Sequence, residues 1–134
     1  MKTITVKFML VLFTAFLMFF FAYGQEVAEW IVPDKYKEMK SPVDASDANL
    51  ETGKMLYKKH CKSCHGDEGL GDGSKSETLE SFCGDFSSDE FQAQSDGALY
   101  FKTTDGRDEM PSFKQKIADE DDRWCVVLYM RTFN

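Results

Sequence analysis

The chain is 134 residues long, with 16 Lys+Arg against 23 Asp+Glu and a formal charge of −7. That length is a prior for one domain, and 43% hydrophobic with 29% charged residues is a globular mixture, not a disordered or fibrous one. The acidic balance repels phosphate backbones and argues against nucleic-acid binding, and four cysteines are too few for a disulfide-built miniprotein.

The first 24 residues are a different material from the rest. Lys2 and Lys7 make a short positive start, Phe8 to Tyr23 is uncharged and almost wholly apolar, and Ala22-Tyr23-Gly24 offers small residues for a signal-peptidase cut before Gln25. The alternative is an uncleaved membrane anchor, which the run disfavours by falling short of the roughly 20 residues that span a bilayer. Either way the remainder is expected to be exported. Loss of a segment with two lysines and no acid takes the charge from −7 to −9. What remains can fold around a modest core, to which a large apolar ligand would add much.

Residues 25–47 read as an extended arm, since Pro33 and Pro42 prevent a continuous helix. Trp30, Ile31, Val32 and Tyr36 are too apolar for a free linker, so the arm is expected to lie against the domain of residues 48–134. Asn49 to Cys64 reads as a helix, capped by Asp47 or Asn49, with Leu50, Gly53, Tyr57, Cys61 and Cys64 on one face. Gly53 on that face costs about 1 kcal/mol of helix propensity, which makes sense if another helix crosses closely. Gly66 to Ser76 is a glycine-rich loop. Ser88 to Gln94 predicts a short helix, and Ser95 caps a second over Asp96 to Thr104, closed by Gly106. Arg107 to Lys114, with Met110-Pro111, should be extended. Asp119 to Phe133 is the last helix, acidic at its start and with Arg131 in its last turn, both favourable to its dipole. No segment alternates convincingly as a strand, so the fold class is all-α.

Cys61-Lys62-Ser63-Cys64-His65 is the central signal, because C-x-x-C-H is the attachment signature of c-type haem. Two thiols three residues apart share one side of a helical turn and can each reach a vinyl group of one porphyrin. His65 then points its imidazole at the iron. A thiol–disulfide redox pair would expect a preceding strand, and the preceding segment is helical. A zinc site would need two further clustered ligands. For the sixth ligand His60 is too close to His65 to reach the opposite haem face. Among the methionines, Met39 sits in the arm, Met55 in the first helix and Met130 in the last, whereas Met110 lies on a strap stiffened by Pro111.

Together these residues resemble the single-haem class I cytochrome c family, bacterial exported type, over roughly residues 49–133. Gly53-x-x-x-Tyr57-x-x-x-Cys61-x-x-Cys64-His65 is similar to its first helix, and Gly66 to Gly73 to the loop after haem attachment. Asp96-Gly97 with Leu99-Tyr100, Gly106 and Met110-Pro111 resembles the ligand-strap half. Trp124, Val126, Val127, Tyr129 and Arg131 resemble the closing helix, which in the family crosses the first at Gly53 and Tyr57. The resemblance implies an all-α cytochrome c fold, one covalent haem c, His65 and Met110 as axial ligands, and one-electron transfer without substrate turnover. Ser74 stands where bacterial members often carry proline, which leaves open which carbonyl accepts the His65 Nδ1–H bond.

The expected function is an exported, periplasmic electron carrier between respiratory redox partners, with acidity favouring a partner that has a basic docking patch. A fixed haem subunit of a larger membrane oxidoreductase is the alternative, with membrane association through the complex or the N-terminal segment. Cys83 and Cys125 either form a disulfide or are two small buried side chains. Arg107 is either a haem-propionate contact or a surface charge. Trp124 is read as core, and Asp119 to Asp122 as helix-start stabilisation ahead of a docking role.

Overall fold

In the computed structural model, residues 29–133 are described. The signal or anchor segment of residues 1–24 and the start of the arm lie outside them. The compact unit treated below begins at Val32. Its helices are α1 (Asp34–Lys37), α2 (Asp47–His60), α3 (Lys62–His65), α4 (Asp89–Gln92), α5 (Asp96–Asp105) and α6 (Glu120–Met130), with one 3-10 turn at Ser76–Thr78. Among the described residues the only β pairing is an isolated bridge, Arg107 with Met110. The described fold is all-α, as expected.

The arm departs from an extended lead-in, because Pro33, with its fixed φ of −59°, starts one helical turn at α1. From Val32 on it lies against the domain: the Tyr36 and Phe101 rings sit 4.8 Å apart. A Cβ at Gly97 would run into the Tyr36 carbonyl and the Met39 side chain. The glycine near the start of α5 is therefore the seat of the arm.

α2 begins two residues before the expected start, and neither Asp47 nor Asn49 caps it. Ser46 is the N-cap without a side-chain bond. The Asn49 amide is turned back onto Asp44, donating to its carbonyl and carboxylate at 2.9 Å each. Nor does the helix run unbroken to Cys64; it ends at His60, and Cys61 (φ −113°) separates it from the single turn of α3.

α2 packs chiefly on α6. A Cβ at Gly53 would lie 2.0 Å from the Cys125 carbonyl oxygen and 2.9 Å from the Tyr129 Cβ, so the glycine permits the close crossing anticipated from its place on the buried face. One turn on, Tyr57 is 1% exposed and packs on the rings of Tyr129 at 5.4 Å and Phe133 at 5.1 Å. Val126 and Val127 are fully buried beneath them.

α6 is shorter than expected at its C-terminal end. Asp119 is its cap, accepting from the Asp121 and Asp122 amides at 2.8 and 3.3 Å, which supports the helix-start reading of the acidic run. Trp124 is core, stacked on Tyr100 at 4.1 Å and 11°. Arg123, 2% exposed, keeps its charge inside by donating to the Ile117, Ala118 and Asp119 carbonyls at 2.6, 3.1 and 3.2 Å and to the Tyr100 hydroxyl at 2.9 Å. Arg131 does more than complement the helix dipole. It reaches the Asp96 carboxylate at 2.7 and 2.9 Å, the Gln92 carbonyl at 2.9 Å and the Gln94 carbonyl at 2.5 Å, tying α4, α5 and α6 at one point.

Gly53→Ala should regain about 1 kcal/mol of helix propensity and lose more through overlap with the Cys125 carbonyl. We expect a net destabilisation of about 2 kcal/mol in denaturant unfolding of the matured protein. An unchanged midpoint would mean that the helices separate without cost.

Candidate functional site

α3 is a single turn, too short to stand on its own propensity, and the loop after it supplies what it lacks. The Gly66 amide donates to the Lys62 carbonyl at 2.8 Å, Lys75 to Ser63 at 2.8 Å, Gly73 to Cys64 at 3.2 Å and Gly71 to His65 at 2.9 Å. These are the carbonyls that a helix end leaves orphaned. The path requires glycine. Gly66, Gly69 and Gly71 have φ of 84°, 75° and 76°, and a Cβ at Gly73 would lie 2.5 Å from the Ser63 carbonyl oxygen. The Tyr57 hydroxyl donates to the Gly66 carbonyl at 2.8 Å, fastening the loop to α2. Burial pushes that phenol well above its ordinary pKa, so it stays a donor.

This frame brings three of the four expected site residues together. Cys61 is buried and Cys64 half-buried, both as unpaired thiols. Burial, with Cys64 nearby, pushes the Cys61 thiol up to about 12. The His65 ring lies 4.5 Å from that of Phe86, inclined by 31°, and Phe86 stacks in turn on Phe91 at 4.3 Å. Burial lowers the His65 pKa, partly offset by the Cys83 backbone. At Nδ1 itself no hydrogen bond closes, although the atom is buried. The Cys83 backbone is an electrostatic neighbour of the imidazole, and no carbonyl is seated on Nδ1.

Met110 stands on a separate element. Within the segment expected to be extended, Arg107 to Lys114, residues 107–110 form a tight turn instead. The Arg107 amide donates to the Met110 carbonyl at 2.9 Å and the Met110 amide to Arg107 at 2.8 Å, with Asp108 at φ 51°. The strap is then pinned to the end of α5. The Thr104 carbonyl accepts from the Phe113 and Lys114 amides at 3.2 Å each and from the Ser112 hydroxyl at 2.7 Å. Gly106 (φ 69°) makes room, since a Cβ there would lie 2.5 Å from the Met110 carbonyl oxygen. Met110 is half-buried against the core cluster that includes Cys61. Met55 is exposed on α2, and Met130 is buried in the core.

Cys83 and Cys125 are both free, which corrects the disulfide alternative. Cys125 is buried where α6 crosses α2, and Cys83 is half-buried in the loop beside His65. Arg107 pairs with its neighbour Asp108 at 3.2 Å.

A pair of unpaired thiols, an imidazole with a buried unpartnered nitrogen, and a thioether bordering the same core form a donor set that fits a covalently held haem. The family model described as cytochrome c oxidase, cbb3-type, subunit III matches residues 48–130. The chain belongs to this family of cytochrome c domains. The cytochrome carries one covalently bound haem c, and its chemistry is haem-based electron transfer. It is also similar to a solved chain of the reducing HAO-like protein complex of Kuenenia stuttgartiensis, with 27% identity and a TM-score of 0.63 over 84% of this chain. The match spans 53% of that longer chain. No curated protein matches the cytochrome.

Sequence reasoning missed two residues of this site. Phe86 packs on His65, but no local motif marks it. Glu109 binds the backbone of residues 80 and 81, a pairing across 28 and 29 positions that no periodicity reveals.

Gly106→Ala would combine a strained φ with a collision against the strap. We expect a loss of about 2–3 kcal/mol in thermal or denaturant unfolding of the matured cytochrome. A stability equal to wild type would show that the strap can be displaced freely.

Proposed function

We propose that the cytochrome carries single electrons by way of a haem attached at Cys61 and Cys64, with His65 and Met110 as the axial iron ligands. The observation that carries this reading is the arrangement of α3. Its two thiols and imidazole are held in one turn by the glycine loop, and Met110 borders the same core from a strap anchored on Thr104. The haem supplies a one-electron couple. The polypeptide supplies attachment, orientation and exclusion of water. Phe86 limits the tilt of the His65 ring, while Tyr57, Val126 and Val127 keep the surrounding core dry. A His/Met pair raises the reduction potential relative to other axial pairs and leaves no position for oxygen or peroxide.

The N-terminal apolar segment supports export, and with it work in a periplasmic compartment, either free or held at the membrane. A formal charge of −7 over the whole chain favours a redox partner with a basic docking patch, and association that slows as salt rises. A second reading has a specific observation behind it. The matching family model is described as an oxidase subunit, and the similar solved chain comes from a complex. The cytochrome would then be a fixed electron-transfer subunit, with its partners permanently in place. Gel filtration of native extract separates the two: elution as a free small protein supports the carrier, and co-elution with larger haem proteins supports the subunit.

Met110→Ala should retain attached haem, lose the methionine-ligation absorbance of the oxidised protein, and bind carbon monoxide rapidly when reduced. Persistence of that band would assign the sixth position to another residue. For a free carrier, raising salt from low to about 0.5 M should slow electron exchange with a basic partner by tenfold or more. A salt-independent rate would remove the docking argument.

A further inference from the structure

Glu109 immediately precedes Met110 on the strap, and its carboxylate is engaged on a different segment. Oε1 and Oε2 accept from the Glu80 amide at 3.2 and 3.0 Å. Oε2 also accepts from the Ser81 amide at 3.1 Å and the Ser81 hydroxyl at 2.9 Å. Three donors thus converge on one side chain, and these hydrogen bonds hold its pKa below the ordinary carboxylate value.

The segment it grips is the one that reaches His65. Just beyond Ser81, the Gly84 carbonyl closes on Gly71, where a Cβ would lie 2.7 Å from it. The Phe86 amide then donates to the Gly69 carbonyl at 2.7 Å, which places the Phe86 ring on His65. The strap therefore has two anchors. Its far end rests on Thr104, and its turn is joined through Glu109 to the segment that packs on the imidazole.

We propose that Glu109 is a positioning residue for Met110, its carboxylate tethering the strap to the Glu80–Ser81 backbone so that the His65 and Met110 sides of the site are held in register. The inference rests on the reading of Met110 as the sixth ligand. A thioether is a weak, neutral donor, so its residence depends on how rarely the backbone carrying it swings away. Two backbone amides and a hydroxyl on one carboxylate oppose that swing, and they are charge-assisted.

The test uses the full, matured, haem-loaded protein and its Glu109→Ala, Glu109→Gln, Ser81→Ala and Met110→Ala variants. Two quantities are read well below the unfolding midpoint: the methionine-ligation band of the oxidised protein, and the rate at which the reduced protein takes up carbon monoxide, which must wait for the strap to open. Glu109→Ala should take up carbon monoxide roughly tenfold faster than wild type and show a weaker band, with haem content unchanged. Ser81→Ala, which leaves both amide donors in place, should move the same way by less. Glu109→Gln, which keeps one acceptor oxygen, should recover part of the loss. Should Glu109→Ala fail to mature, Ser81→Ala carries the test alone. Wild-type uptake in both Glu109→Ala and Ser81→Ala, beside a Met110→Ala variant that has lost the band, overturns the tether and leaves the ligand reading standing. A Met110→Ala variant that keeps the band removes the ligand reading and the tether with it.

Discussion

A one-turn helix has as many unsatisfied carbonyls as residues, and the cysteine–histidine turn of this protein is such a helix. Four amides from Gly66, Gly71, Gly73 and Lys75 close on the carbonyls of residues 62–65, and everything chemical in the molecule depends on that closure. Each bond contributes only about 1 kcal/mol net, but an unmade one in this partly buried setting costs more. The loop therefore acts as the second half of the helix. It also explains why glycines recur there: the chain must turn back with positive φ and approach a backbone to within contact.

Around that turn the protein is held by a few long-range connections. The α2–α6 crossing fixes the far end of the motif helix through Gly53 and Tyr57. Arg123 and Arg131 each knit backbone carbonyls from neighbouring segments, so charged groups stand in for secondary-structure pairing. The strap is fixed by carbonyl acceptance at Thr104 and by the Glu109 carboxylate. The most deeply buried apolar packing is at Tyr57, Val126, Val127 and Trp124, and the polar connections set where the site residues stand.

Much of this was legible in the sequence because it is written locally. The Cys61–His65 spacing, the Ser95 cap, whose hydroxyl accepts from the Ala98 amide at 3.2 Å, and Gly53 on a buried helical face all depend on neighbours a few residues away. The errors came where one of several locally plausible arrangements wins. Asn49 looks like a cap, yet Asp44 takes its side chain. Cys61 continues the helical face, but the backbone breaks there to present the thiols. The Arg107–Lys114 segment reads as extended because of its proline, and Gly106 with Asp108 instead folds its first four residues into a tight turn. Phe86, which packs on the His65 ring from twenty-one residues further along, is marked by no local pattern. The pairing of Cys83 with Cys125 rested on elimination alone, and their separate placements undo it.

The α2–α6 crossing has a consequence in time. The surface that closes on Gly53 comes from Cys125 and Tyr129, so α2 lacks its chief partner until α6 has been synthesised. A polypeptide delivered from its N-terminus passes through an interval in which the two thiols of the motif exist while the element that closes the domain over α2 does not. Contacts of such large sequence separation form late. The order of the chain itself thus completes the attachment turn and its glycine loop before the helix that closes over α2.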